Sequence, residues 1–112
     1  MKCLKLVYAL FLFMVSTGCC FAQITAMCFN AEWNATNNVE WFGKLSDCDL
    51  AKVDIVKEPT LQKEHKIVVV PTIIIFKDGE EIKRFQADMS FKMLATRKEI
   101  QEAIDEQILS DF

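Results

Sequence analysis

The chain has 112 residues, of which 52% are hydrophobic and 26% charged, and its formal net charge at pH 7 is −3. This length predicts one domain, and the composition is that of a globular protein. The acidic balance and the lack of a basic stripe in the sequence argue against a nucleic-acid-binding role.

The first 22 residues have the pattern of a secretory leader. Lys2 and Lys5 accompany an apolar run, Leu4–Val15, which has the length of a leader's apolar region and is short for a membrane span. Cys20 and Ala22 are small residues at the positions that a signal peptidase reads, so we expect cleavage after Ala22. The predicted product is an exported domain, residues 23–112, in the periplasm, the cell envelope or the medium, without a membrane span.

A second interpretation of the leader is that Gly18-Cys19 is a lipoprotein cleavage site, which would leave a lipid anchor on Cys19. Removal of the leader takes away two lysines and no acidic residue, so the net charge moves from −3 to −5. It also removes three of the five cysteines and leaves Cys28 and Cys48. An exported protein can oxidise such a pair.

The mature chain begins with a short apolar strand, Ile24–Phe29, followed by an Asn-rich loop. Asn37 and Glu40 have the spacing of a capping box, which predicts a helix that runs to about Leu45. Asp49–Val56 contains several apolar residues and is predicted to be a second strand.

Pro59 suits the first turn of a helix, and a short helix Thr60–Lys66 is expected after it. The next segment, Ile67–Gly79, is a β-branched run without polar alternation, which predicts a strand buried on both faces. Proline cannot donate a ladder hydrogen bond, so we place Pro71 at the start of the central strand, Thr72–Phe76.

Asp78-Gly79 predicts a hairpin that leads into a return strand, Glu81–Phe85, with Ile82 and Phe85 on its apolar side. Residues 86–94 have no clear pattern. Thr96-x-x-Glu99 is a capping box, and the apolar residues after it recur at helical spacing. The predicted order is β-α-β-α-β-β-α.

Several motifs in this order resemble those of the thioredoxin family. The most specific is Val70-Pro71-Thr72 with Phe76-Lys77-Asp78-Gly79, and Phe29–Trp33 resembles the strand end before the family's active site. Ala51–Asp54 resembles its second parallel strand, so the resemblance runs from about residue 27 to the C-terminus. It implies an α/β, trimmed thioredoxin-like fold, a four-stranded mixed sheet with flanking helices, in which Pro71 is a cis-proline.

The sequence departs from this family where the family carries its chemistry. The resemblance places Asn34 and Asn37 at the two positions of the Trp-Cys-x-x-Cys motif. An amide forms no thiolate, so these side chains cannot attack a disulfide or hold a mixed disulfide. The family's buried acid falls at Cys28. We therefore expect a protein without the redox-active cysteine pair.

Cys28 is the alternative source of thiol chemistry, as a reactive cysteine with a pKa lowered by Lys52 on the next strand. A small buried hydrophobic side chain is the simpler interpretation and the one we prefer. A disulfide with Cys48 is not expected. Cys48 lies at or before the start of the adjacent strand, and the offset is on the order of 10 Å, beyond the reach of a disulfide.

The sequence gives no indication of a metal site or cofactor. His65 lacks partners at ligand spacing, and we expect it to contact the last carbonyls of its helix. Asn34-Ala35-Thr36 is a glycosylation sequon, which matters only in a eukaryotic secretory pathway.

The function predicted from these features is a non-catalytic module that binds a peptide or protein. The loop before the last helix carries Met89, Phe91 and Met93, which either form an adaptable binding surface or close the end of the sheet as core. The family's loop at this place borders its substrate groove. The predicted binding edge has these members: Trp33, Asn34, Ala35, Thr36, Asn37, Val70, Pro71, Met89 and Phe91.

Overall fold

The computed structural model describes residues 23–110 and contains one four-stranded sheet. The strands are β1 (Ile24–Asn30), β2 (Asp49–Asp54), β3 (Thr72–Lys77) and β4 (Glu80–Gln86), in the order β2-β1-β3-β4. β1 is parallel to β2, and β3 is antiparallel to β1 and β4. The predicted mixed sheet is confirmed. The predicted leader, its cleavage site and the alternative anchor at Cys19 lie outside the described residues.

β3 is buried on both faces, as its run of isoleucines predicts. Ile73 and Ile75 pack on the face that the C-terminal helix covers, and Ile74 packs on the other face. All three are 0% exposed. Burial of such a side chain contributes about 1.5–3 kcal/mol, so this strand supplies a large part of the free energy of folding.

Two α-helices flank the sheet: α1 (Pro59–Glu64) and α2 (Arg97–Leu109). Pro59 occupies the first turn of α1, and Thr96 caps α2 by accepting a hydrogen bond from the backbone N–H of Glu99, at 3.2 Å. α2 buries the side chains that helical spacing predicted: Ile100, Ala103 and Ile104.

The predicted helix from Asn37 to Leu45 is replaced by two 3₁₀-helices, Glu32–Asn37 and Glu40–Lys44. The prediction that Asn37 caps a helix is wrong because its side chain bonds to a residue that precedes it in the chain. Its side chain amide donates to Oδ1 of Asn34 at 2.9 Å, and Val39 occupies the cap position of the second 3₁₀-helix. β2 is also shorter than predicted, and Val56 lies beyond it with 62% of its surface exposed.

The predicted hairpin is present, with Asp78 and Gly79 both at positive φ. The register shifts just after it, because Ile75 pairs with Lys83 whereas Phe76 pairs with Glu81. Ile82 is therefore the extra residue of a β-bulge and is 40% exposed. The prediction that Ile82 and Phe85 share an apolar side is wrong. Phe85 is half-buried opposite Ile73.

His65 follows α1, but its ring does not play the predicted part. The ring packs against Phe29 and Phe76, with centroid distances of 5.4 and 5.3 Å. The carbonyls of His65 and Lys66 instead accept hydrogen bonds from the guanidinium of Arg84, at 2.6 and 3.1 Å. Arg84 thus holds the end of α1 against β4.

Three further expectations concern the described residues as a whole. Cys28 and Cys48 are free thiols, as the strand offset predicts. Within residues 23–110, no cluster of three or more His, Cys, Asp or Glu side chains is arranged to hold a metal ion. The helices in this range are all too short or too polar to cross a bilayer.

Candidate functional site

The candidate site lies at the end of the sheet where β1 finishes and β3 begins. Phe29 pairs with Thr72 there, and the peptide bond between Val70 and Pro71 is cis, as the resemblance predicts. The first 3₁₀-helix leaves β1 at this end and carries Trp33 and Asn34. The loop between β4 and α2 returns to the same place.

Asn34 connects these segments from a buried position, with only 4% of its surface exposed. Its side-chain nitrogen donates to Oδ1 of Asn30 at 3.1 Å, to the carbonyl of Phe91 at 3.2 Å and to the carbonyl of Val70 at 3.4 Å. Its Oδ1 accepts from Asn37. One side chain therefore joins β1, the cis-proline segment and the loop before α2.

The amide of Asn34 has fewer protons than acceptors. An amide nitrogen carries two hydrogens, and three oxygens lie within range here. The carbonyl of Val70 is the farthest of the three and makes the weakest of these contacts. It is consequently the acceptor that another N–H group would most readily take over.

An aromatic pair covers the outer side of this site. The rings of Trp33 and Phe91 meet edge to face, with centroids 5.3 Å apart and planes at 86°. Trp33 is 61% exposed and Phe91 is 40% exposed. A contact of this kind between exposed rings offers apolar surface to solvent.

The loop that carries Phe91 is fastened by Asp88. Oδ1 of Asp88 accepts hydrogen bonds from the backbone N–H of Ser90, the hydroxyl of Ser90 and the backbone N–H of Lys92, at 2.8, 3.0 and 3.1 Å. These bonds, that of the Lys92 backbone first, hold the pKa of the Asp88 carboxyl below its usual range. The loop keeps Phe91 at a φ of 64°, a conformation that a bulky side chain adopts rarely.

Of the three apolar residues that the sequence offered either as a binding surface or as core, two lie at the surface and one lies in the core. Met89 is 97% exposed, and Phe91 contacts Trp33. Met93 instead packs against the core cluster beneath α2 and pairs with Ala87 in an antiparallel bridge. The tip of the loop is therefore surface, and its base is core.

The other members of the predicted binding edge are only partly brought together. Contacts join Trp33, Asn34, Asn37, Val70 and Phe91. Ala35 is exposed, and Thr36 with Asn37 lines an open depression of about 360 Å³ next to the site. Val70 and Pro71 are buried, whereas a binding edge requires access.

Cys28 lies in the middle of β1, between Lys52 on β2 and Ile73 on β3, and is 6% exposed. Burial raises the pKa of its thiol to about 11, and the charge of Lys52 lowers it by less. The predicted effect of Lys52 has the expected direction and is outweighed by desolvation. At neutral pH the side chain is a protonated, buried thiol.

The buried position of Asn34 also bears on the sequon. Glycosylation attaches the sugar to the side-chain nitrogen, which here donates to Asn30, Val70 and Phe91. A glycan on Asn34 is therefore incompatible with this folded site.

Sequence reasoning missed two features of the site. Asp88 lies in a segment for which the sequence predicted no structure. Asp-x-Ser is nevertheless a common start of a turn in which the Asp side chain accepts a hydrogen bond from the backbone two residues later. The left-handed conformation of Phe91 had no signal at all, because such positions are usually marked by Gly or Asn.

The Thioredoxin family model matches residues 19–105 of this chain. A chloroplastic thioredoxin of Arabidopsis thaliana is 40% identical over 50 residues, which are 45% of this chain and 29% of that protein. A thioredoxin of Mycobacterium bovis is 37% identical over 41 residues, 37% of this chain and 35% of that protein. The matched part thus spans about a third of the length of these curated relatives.

Solved structures agree on the fold. Thioredoxin-2 of a malaria parasite superimposes with a TM-score of 0.62 at 21% identity, over 76% of this chain and 84% of that one. A mutant thioredoxin of Halobacterium salinarum gives 0.61 at 21% identity, over 77% and 75%. With the sheet order, the cis-proline and the family match over most of its length, this chain belongs to the thioredoxin family.

Proposed function

We propose that this chain is an exported thioredoxin-family domain that has lost thiol–disulfide chemistry and holds a polypeptide or protein partner. The observation that carries this proposal is the state of Asn34. The resemblance to the family places Asn34 at the first cysteine position, and in the structure this side chain is a buried amide engaged in hydrogen bonds. Such a group has no nucleophilic sulfur to offer.

The remaining cysteines do not replace the missing pair. A one-cysteine mechanism through Cys28 requires a thiolate, and burial raises the pKa of this thiol to about 11. Cys48 is half-buried, and its pKa is also raised to about 11, by burial and by nearby aspartates. Both groups are poor nucleophiles near neutral pH.

The proposed partner surface is the site that Asn34 organises. Trp33, Phe91 and Met89 expose apolar side chains there, and aromatic and Met side chains are characteristic of protein-binding surfaces. Val70 and Pro71 are buried, so the proposed contact surface is this exposed apolar group and not the backbone of the cis-proline segment. Export is proposed from the leader pattern, with a lipid anchor at Cys19 as the alternative form.

Reduction of insulin by dithiothreitol tests the loss of chemistry. We expect the wild-type protein to leave the rate at that of dithiothreitol alone. The matched control is the double variant Asn34→Cys/Asn37→Cys, which restores the cysteine spacing on the same scaffold and is expected to accelerate the reaction. Acceleration by the wild-type protein would overturn the proposal.

Alkylation of the native protein by iodoacetamide tests the one-cysteine alternative. Cys28 is expected to stay unmodified at pH 7.5 until the protein is denatured, because its thiol is buried and protonated. Rapid labelling of Cys28 in the folded state would favour the alternative function instead.

A further inference from the structure

Gln23, the first residue that the structure describes, is held by two aspartates. The backbone N–H of Asp78 donates to the carbonyl of Gln23 at 2.8 Å, and the backbone N–H of Gln23 donates to Oδ1 of Asp78 at 2.8 Å. The side-chain amide of Gln23 donates to the carboxylate of Asp49, the first residue of β2. We name Asp49 and Asp78 the clamp.

The two residues of the clamp lie on opposite sides of β1. The strand order is β2-β1-β3-β4, so Asp49 approaches Gln23 from β2 and Asp78 approaches it from the turn between β3 and β4. The main-chain nitrogen of Gln23 is therefore bonded on one side of β1 and its side-chain amide on the other. This arrangement keeps the amide group away from the backbone nitrogen of the same residue.

Asp78 serves both the hairpin turn and the clamp. Its φ of 53° is a left-handed conformation, which Asp and Asn tolerate better than other residues with a side chain. Its backbone forms the turn with Gly79, while its carboxylate is left to accept from Gln23. Asn suits such a turn equally well, so the substitution Asp78→Asn removes the charge and leaves the turn in place.

Removal of a leader after Ala22 would change the chemistry of this place. The nitrogen of Gln23 is a neutral peptide N–H while the chain continues before it, and it becomes an ammonium with three donors once the chain begins there. A carboxylate forms a shorter and stronger hydrogen bond with an ammonium than with a neutral N–H group. The contact between Gln23 and Asp78 would therefore gain from the cleavage.

An N-terminal glutamine is chemically unstable, because its amine can attack its own side-chain amide. A bond forms between the amine nitrogen and Cδ, the bond from Cδ to Nε2 breaks, and ammonia leaves, so the product is an uncharged lactam, pyroglutamate. The clamp opposes both requirements of this reaction. An ammonium has no lone pair with which to attack, and a neighbouring carboxylate favours this charged form. The bond from Nε2 to Asp49 holds Cδ away from the amine.

We propose that the clamp is a docking site for the N-terminus created by removal of the leader, and that it protects Gln23 against cyclisation to pyroglutamate. This inference rests on the export in the proposed function and adds the chemical state of the exported chain. The domain then keeps a free, charged amino group beside the hairpin, at the end of the sheet opposite to the candidate site.

The test measures cyclisation in the exported product of the full chain, expressed with its own leader in a bacterium. Mass spectrometry identifies the first residue and follows the loss of one ammonia with time at neutral pH. The variants are Asp49→Ala and Asp78→Asn. Asp54→Asn is the matched control, because it removes one charge at the far end of β2, about 16 Å from Asp49. Wild-type protein unfolded in urea gives the unprotected rate, and amide exchange in β3 reports the fold of each variant.

Folded wild-type protein is expected to cyclise at least about tenfold more slowly than the unfolded chain, because the reaction proceeds only through the undocked fraction. Asp49→Ala should approach the unfolded rate, Asp78→Asn should lie between the two, and Asp54→Asn should equal the wild type. A folded wild-type rate equal to the unfolded rate, or to that of Asp49→Ala, would overturn the clamp and leave export standing. So would a product that begins at a lipid-modified Cys19. A product that keeps its leader would overturn export itself.

Discussion

Two buried regions of this domain are stabilised by different interactions. The centre of β3 is an apolar strand packed on both faces, with Ile73, Ile74 and Ile75 fully buried. The end of the sheet around Asn34 is a polar interior of amides and backbone carbonyls. Among residues 23–110, no buried side-chain nitrogen or oxygen lacks a hydrogen-bond partner. Burial is not directional, so the first region tolerates small adjustments, whereas the second depends on hydrogen-bond geometry.

The apolar centre of β3 supplies a large part of the stability of the domain, and the polar end around Asn34 determines the architecture of the candidate site. A thioredoxin-like sheet forms because its strands bury apolar side chains. The stability of these strands does not depend on which reactive groups lie near the cis-proline. The polar end is free to carry a cysteine pair or an amide network. Here the amide network joins three segments: β1, the cis-proline segment and the loop before α2.

The largest effect is expected from the apolar centre. Ile74→Ala should lower the free energy of unfolding by about 2–5 kcal/mol, because it leaves a cavity between β3 and the packed residues of one sheet face. Chemical denaturation measures it. Ile82→Ala is the matched control and should cost less than about 1 kcal/mol, since Ile82 is exposed at the bulge. Equal losses would contradict the assigned roles of the two isoleucines.

Alkaline pH probes the apolar centre through Cys28. Its pKa is about 11 in the folded protein against an ordinary value of 9.0, so the native state holds a proton that the unfolded state releases. Stability is therefore intact below pH 9 and falls between pH 9 and 11 by at most about 2–3 kcal/mol.

The control for this pH effect is a pair of variants, because Cys48 has a raised pKa in the same range. Cys28→Ala should remove part of the alkaline loss measured by thermal unfolding between pH 8 and 11. Cys48→Ala should remove less, since that thiol is more exposed. A Cys28→Ala profile that still matches the wild type would show that the thiol is not desolvated.

The polar end is tested by Asn34→Ala, which leaves the carbonyls of Val70 and Phe91 without their donor. We expect a loss of about 1–3 kcal/mol in the free energy of unfolding. Amides of residues 88–92 should exchange faster, because Asn34 donates to the carbonyl of Phe91 in this segment, and those of β3 should follow only the global change. Asn38→Ala is the matched control, because Asn38 is exposed and contacts only Asn30 within this network. Loss of protection throughout β3 beyond the global change would argue against a local role for Asn34.

The smallest effect is expected from Phe91→Gly. Glycine relieves the left-handed strain, by on the order of 1–2 kcal/mol, but gives up the contact with Trp33, worth about 0.5–1.5 kcal/mol. The net change should lie within about 1 kcal/mol by denaturation, while the emission of Trp33 shifts. Phe91→Ala, which keeps the strain and loses the ring, should be the less stable of the two.

The sequence predicted the apolar region far better than the polar one. A β-branched run, a capping Thr and helical spacing are local signals, and they placed β3, the hairpin and α2 correctly. The segment from Asn37 to about Leu45 was predicted as one helix because Asn37 fits a capping box, yet the Asn37 side chain donates a hydrogen bond to Asn34, three residues earlier, and does not cap a helix. Contacts between residues as distant as Asn34 and Phe91 leave no pattern in a single sequence.

The β-bulge at Ile82 has a consequence for the behaviour of the protein in concentrated solution. β4 is an outer strand, and outer strands can recruit strands of other molecules into a growing sheet. The bulge breaks the even row of backbone groups on this strand, and the adjacent Lys83 and Arg84 add charge. An irregular, charged rim of this kind opposes fibril growth from β4, so the domain can keep an isoleucine at its surface without that strand becoming a template for aggregation.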